Sequence, residues 1–270
     1  MSLVRKYASY AKASWAGMLE YRAQILLWML GSAILVVMLM VWTGVSEDNG
    51  GQVGGFSTVD FTLYYMIGLI VRNLTAVWAS WELDFAIREG TLSPQLLRPI
   101  NPIHNHIAAN WVEKSLRLAI VVPLAVLVIA LTPGAATALA SSATVGRIAL
   151  AALAVFGAWV IVFFADYLIG MTAFWTSQTS AFIQGWYGLR VVLSGTAAPV
   201  QLFPAALQGA LHWLPFRYML SFPLEILLGK VDSPQVIEGL LIQAAWGLFF
   251  MALCAIVWRI AIRSYSAVGA

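Results

Sequence analysis

ILLWMLGSAILVVMLMVW, residues 25–42, is an uncharged run of apolar side chains interrupted only by Gly31 and Ser32. A helix rises about 1.5 Å per residue, so this run covers roughly 27 Å, close to the roughly 30 Å hydrocarbon core of a bilayer. Five more runs repeat the pattern: residues 61–78, 118–131, 148–164 with an extension toward Trp175, 181–193 and 236–262. The third and fifth are short unless flanking polar residues are included. The third is expected to begin near Ile107, with Asn110, Glu113, Lys114 and Arg117 on its first turns. Lone strands would leave backbone groups unsatisfied in lipid, so the runs are expected as helices. This reading is an all-α membrane protein with about six transmembrane helices.

Composition agrees. Of the 270 residues, 61% are hydrophobic and only 10% charged, with a mean hydropathy of +0.84. Ordinary globular domains carry about 25% charged residues, and a soluble fold could not cover this much apolar surface with so few. The net charge of +3 does not point to nucleic acid, because the basic residues sit at the ends of the apolar runs rather than in a patch. Cys254 is the single cysteine, which rules out an intramolecular disulfide. No internal repeat is visible, which counts against an inverted-repeat transporter.

Residues 1–23 differ from the rest. Val4, Tyr7, Ala11, Trp15 and Met18 recur at helical spacing among Arg5, Lys6, Lys12 and Arg22. That pattern predicts an amphipathic interfacial helix rather than a cleaved signal peptide. Residues 24–270 then form a six-helix transmembrane domain. With both termini cytoplasmic, the inner flanks hold Arg5, Lys6, Lys12, Arg22, Arg88, Arg98, Lys114, Arg117, Arg259 and Arg263. The outer flanks hold only Arg147, Arg217 and Lys230. The positive-inside rule favours this orientation.

Two connections stand out in this topology. The cytoplasmic one, residues 80–106, carries Leu83, Phe85, Ile87, Leu96 and Leu97 among its charges, and a bare loop has little reason to expose them. Ser93 and Pro94 predict a short helix starting there, stopped by Pro99 and Pro102. The outer one, residues 195–239, is strongly apolar yet broken by Pro199, Pro204, Pro215 and Pro223. Short helices re-entering the outer leaflet are expected, with their backbone buried in protein.

The stretches REGTLSPQLLRPINP (88–102), LSGTAAPVQLFP (193–204) and LPFRYMLSFPLEILLGK (214–230), together with the amphipathic start, resemble the permease subunits of ABC-2-type exporters. The nearest likeness is to a six-helix branch that includes daunorubicin-export-like systems, and it covers essentially the whole chain. The resemblance implies a bacterial inner-membrane half-transporter that pairs with a second copy or a homologous permease. Two ABC ATPase subunits would bind the ATP and Mg. It further implies that the loop between the second and third spans docks into the ATPase. The residues carried over are Glu82, Leu83, Asp84, Phe85, Arg88, Glu89, Gln95, Leu96 and Arg98. The outer segment, with Pro199, Phe203, Pro204, Leu214, Pro215 and Phe216, would form an extracellular lid.

The chain has no phosphate-cradling G-x-x-x-x-G-K-[ST] motif, since Gly229-Lys230 is followed by Val231. No cofactor is expected in this chain, and no catalytic or metal constellation is visible. His104 and His106 read as part of a polar loop. Arg72, Asn73, Asp166, Gln184 and Arg190 are the polar residues in or beside the spans. They either line a substrate path or form interhelical contacts, such as a pair between Arg72 and Asp166. The alternative function is an ion-coupled secondary transporter using that pair.

Overall fold

The computed structural model describes Gly31 and residues 33–265. The interfacial helix expected over residues 1–23 and the start of the first apolar run lie outside the described residues. Helix α1 (Ala33–Asp48) leads into a small antiparallel hairpin, β1 (Gln52–Val53) and β2 (Phe56–Ser57), with Val53 opposite Phe56. Helix α2 (Thr58–Thr75) starts at a capping box: the Ser57 hydroxyl accepts from the Asp60 amide at 3.1 Å, and Asp60 accepts from the Ser57 amide at 3.0 Å. After a three-residue break come α3 (Ala79–Arg88) and α4 (Leu92–Leu96).

Helix α5 (Ile103–Leu131) begins directly after Pro102 and gives way to α6 (Ala135–Ser142). Helix α7 (Val145–Gly170) continues into a 3-10 turn, Met171–Phe174, and α8 (Thr179–Leu193) follows. Residues 195–232 hold α9 (Ala205–Trp213) and α10 (Ser221–Leu227), each preceded by a short 3-10 turn. The last helix, α11 (Ser233–Ser264), opens on a second capping box between Asp232 and Gln235.

Four helical stretches among the described residues are long and apolar enough to cross a bilayer: Thr58–Arg88, Ile103–Leu131, Val145–Phe174 and Ser233–Ser264. The first expected span is described only from Ala33. The fifth is α8, whose 15 residues reach about 22 Å, short of a full crossing. The predicted succession of short helices after Gly195 is present. Its last member, α10, is buried within the bundle, with Phe222 and Leu224 fully enclosed.

The core has two connected parts. One joins α3, α7, α10 and α11 around Leu83, Phe163, Tyr167 and Phe222. The other joins α1, α2 and α5 around Leu35, Phe61 and Tyr65. Large apolar side chains such as Val126, Leu241 and Leu248 point outward, as lipid-facing positions do in a membrane protein.

Two expectations need correction. Residues 80–106 are not an open loop, because α3 packs tightly on α7, and the short helix starts at Leu92 rather than Ser93. Lys114 and Arg117 are not flanking charges. Helix α5 starts four residues earlier than expected, which carries both inside the bundle at 2% exposure each.

Candidate functional site

Residues 76–78 separate α2 from α3, and Ala76 takes an extended conformation. A helix broken at membrane depth frees backbone groups that lipid cannot satisfy, so protein must do it. Here four side chains supply the partners. Asn110 and Lys114 both donate to the Ala76 carbonyl at 2.9 Å, and the Tyr187 hydroxyl donates to the Val77 carbonyl at 2.9 Å. On the α3 side, the Ser80 amide donates to the fully buried Asp166 carboxylate at 2.9 Å. A carboxylate there also suits the positive end of the helix dipole.

Asn110, Glu113, Lys114 and Arg117 recur three or four residues apart and therefore share one face of α5. Lys114 also donates to Asn110, Arg117 pairs with Glu113, and Trp159 donates to Asn110 at 2.9 Å. The expected pair between Arg72 and Asp166 does not form. The α3 amide takes Asp166, whereas Arg72 donates to the Gly31 carbonyl at 3.3 Å.

Helix α3 is seated on α7 by Leu83, Ala86 and Ile87, all buried. The seat is close because Gly170 has no side chain: a Cβ there would lie 2.8 Å from the Ser80 Cα. Leu83 thus belongs to the core and presents nothing to a partner. Glu82 is bonded to His106 at 2.6 Å, and Arg88 bonds Asp84 and the Ser177 carbonyl, each at 2.8 Å. Gln95 and Leu96 are half-buried. What remains open are Phe85 (63% exposed) and Glu89 around the end of α3, and Leu97 (88%) and Arg98 just after α4.

Beside this break lies a cavity of about 370 Å³. Arg72 from α2, Arg117 from α5 and Arg190 from α8 line it, with Trp78, Trp81 and Gln184 among the other walls. The Arg117 guanidinium lies 5.7 Å over the Trp78 ring and that of Arg190 5.5 Å over Tyr187. The structure therefore brings together Arg72, Gln184 and Arg190 of the expected polar set. It leaves out Asn73, which is buried and donates to the Leu69 carbonyl of its own helix, and Asp166. Arg117 was missed as a lining residue. Its signal was the polar spacing from Asn110, already within the helix expected from near Ile107, but it was counted as a flanking charge.

The segment after Gly195 is tied down by side chains from α1 and α2. Trp42 and Tyr65 donate to the Ala197 carbonyl at 2.8 and 3.2 Å, and Tyr64 donates to the Gly195 carbonyl at 2.9 Å. Beneath it, Glu225 accepts from Arg217 at 2.5 Å and from the Ser221 hydroxyl at 2.8 Å. Of the expected lid residues, Pro199 and Pro215 are buried, Phe203 and Phe216 half-buried, and Pro204 and Leu214 exposed. Phe216 packs on Trp186 of α8, with ring centroids 5.5 Å apart.

Among the described residues no group of three or more His, Cys, Asp or Glu side chains could hold a metal ion. No curated protein and no solved structure matches the chain. The family model for the ABC-2 family transporter proteins matches residues 23–269. With that match over nearly its full length and its membrane-spanning helices, the chain belongs to the ABC-2 transporter family and is a multi-pass permease of the ABC type.

Proposed function

We propose that this chain is the transmembrane subunit of an ATP-driven exporter that moves an amphiphilic or hydrophobic substrate outward. Two ATPase subunits would supply ATP and Mg, and a second copy or a homologous permease would complete the transporter. The membrane would be a bacterial inner membrane, with both chain termini cytoplasmic. The observation that carries this reading is the exposure of Phe85 and Leu97, with Glu89 and Arg98, along the α3–α4 stretch, whose first helix is seated on α7. An apolar patch rimmed by charges is what a protein partner covers.

The coupling follows from the geometry. A push on α3 acts on the 76–78 break, whose carbonyls are held by Asn110, Lys114 and Tyr187 from α5 and α8. Three helices thus share one set of hydrogen bonds, so displacing α3 rearranges the wall of the arginine-lined cavity. Helix α8 supports pairing with a second permease: Phe182 and Leu189 are exposed, and a Cβ added at Gly185 or Gly188 would meet nothing. The separation of Arg72 from Asp166 removes the pair on which ion-coupled transport would have relied.

The test is co-expression with a candidate ATPase subunit, affinity purification in detergent and measurement of ATP hydrolysis. The double variant Phe85→Glu with Leu97→Glu is expected to remain monodisperse while losing most of the bound ATPase. Unchanged co-purification would reject docking at this face. Solute movement by the chain alone down an ion gradient, without ATP, would reject the exporter reading.

A further inference from the structure

The polar residues around the 76–78 break are accounted for by the backbone groups they satisfy. The three arginines of the cavity are not. An arginine deep in a bilayer costs roughly 2.5–3.5 kcal/mol on insertion scales, so three facing one space require a reason. Among the described residues the cavity lining contains no carboxylate. Of the carboxylates outside the lining, Glu113 is engaged by Arg117, and Asp166 accepts from the Ser80 amide through one oxygen while its other oxygen has no hydrogen-bond partner among the described residues.

The guanidiniums are under-used. Among the described residues, Arg72 has no carboxylate partner and only the 3.3 Å bond to Gly31. The buried Nη1 of Arg190 has no hydrogen-bond partner there, and neither does the Nε of Arg117, a residue only 2% exposed. Like charges converging on a space with donors to spare describe a site completed by an anion.

We infer that this cavity binds an oxyanion of the phosphate type, carried as the headgroup of the amphiphile to be exported. The inference rests on the export reading and names the substrate's chemistry within it. Guanidinium groups offer planar forks of donors that fit phosphoryl oxygens pairwise. Three of them match a doubly charged tetrahedral group better than a single carboxylate. A volume of about 370 Å³ lies at the lower end of small-ligand sites and takes a headgroup rather than a whole lipid. The Trp78, Trp81 and Tyr187 rings provide apolar wall for the first methylenes of a tail. Trp78 and Trp81 also belong to the break and to α3, so the wall that touches the ligand is the wall an ATPase would move.

The experiment uses the full chain in dodecyl maltoside, without ATPase, so that a failure of docking and a failure of binding are separate results. Tryptophan fluorescence and thermal unfolding are followed on addition of dodecyl phosphate below its micelle concentration, dodecylphosphocholine, or inorganic phosphate. Saturable binding of dodecyl phosphate is expected, competed by inorganic phosphate at higher concentration. Losing a charge-assisted hydrogen bond predicts binding weaker by about tenfold or more in Arg72→Gln and Arg190→Gln. Arg72→Lys keeps the charge but loses the planar fork, and is expected to bind with an affinity between those of the wild type and Arg72→Gln. Each variant is first checked for a monodisperse elution profile, and among the described residues the Arg72 guanidinium has only its bond to Gly31 to lose. Inorganic phosphate binding as tightly as dodecyl phosphate would keep the oxyanion site but assign it to the free ion. Equal effects of dodecyl phosphate and dodecylphosphocholine, or binding unchanged in both Gln variants, would overturn the inference.

Discussion

Glu225 shows how much depends on where a single charge is buried. Its side chain is 1% exposed, and its two oxygens are divided between Arg217 and Ser221. Removing one partner of such a pair strands a charge in an apolar interior, at a cost of about 3–5 kcal/mol. Arg217→Met is therefore expected to lower the thermal unfolding midpoint in detergent markedly. Adding Glu225→Met to it should recover much of the loss, because no charge then remains buried. An equal midpoint for wild type and Arg217→Met would mean that the pair does not hold the outer segment. Neither residue was legible as a pair from the sequence, where Arg217 reads as an outer flanking charge. Asp166 was misread for a related reason: opposite charge suggests Arg72, but a backbone amide freed by a helix break competes and wins. Residue type gives the need for a partner, and only the fold gives which one.

Helix boundaries explain why the α2–α3 break escaped sequence reading while its supports did not. Residues 61–78 form one apolar run with no proline or glycine after Gly68 to mark a stop. The α5 residues that stitch the break do repeat at helical spacing, and they already fell within the helix expected from near Ile107. The seat of α3 on α7 was hidden too, because a glycine that matters by its absence of side chain looks like any other. A Cβ at Gly170 would meet the backbone of Ser80 at 2.8 and 3.0 Å, where no rotamer change can relieve it. Gly170→Ala should lift α3 and lengthen the bond from the Ser80 amide to Asp166, at about 1–3 kcal/mol for overpacking. Hydrogen exchange is expected to quicken across residues 79–88 and stay unchanged in α11. Uniform quickening throughout the chain would show that Gly170 supports the bundle generally rather than the α3 seat.

The bundle sorts its connections into two ends. At one, Ser93 meets Tyr265 at 2.9 Å and Arg88 reaches the connection between α7 and α8. At the other, Lys230 pairs with Asp60 at 2.9 Å and lies 4.7 Å over the Phe56 ring. Arg88 and Arg98 belong to the first end and Lys230 to the second, while Lys114 and Arg117 drop out as flanking charges because they are buried. The proposed orientation, with the α3 end in the cytoplasm, rests on the bias that remains under the positive-inside rule. Impermeant maleimide applied to intact cells reads this directly. Cys254 is 3% exposed, with its thiol donating to the Phe164 carbonyl at 3.0 Å, so the parent chain should stay unlabelled. Asp48→Cys and Ser141→Cys, both exposed at the hairpin end, are expected to label in intact cells. Glu89→Cys and Arg98→Cys, exposed at the α3 end, should label only after lysis. The reverse pattern would put the α3–α4 face outside, beyond reach of any cytoplasmic ATPase.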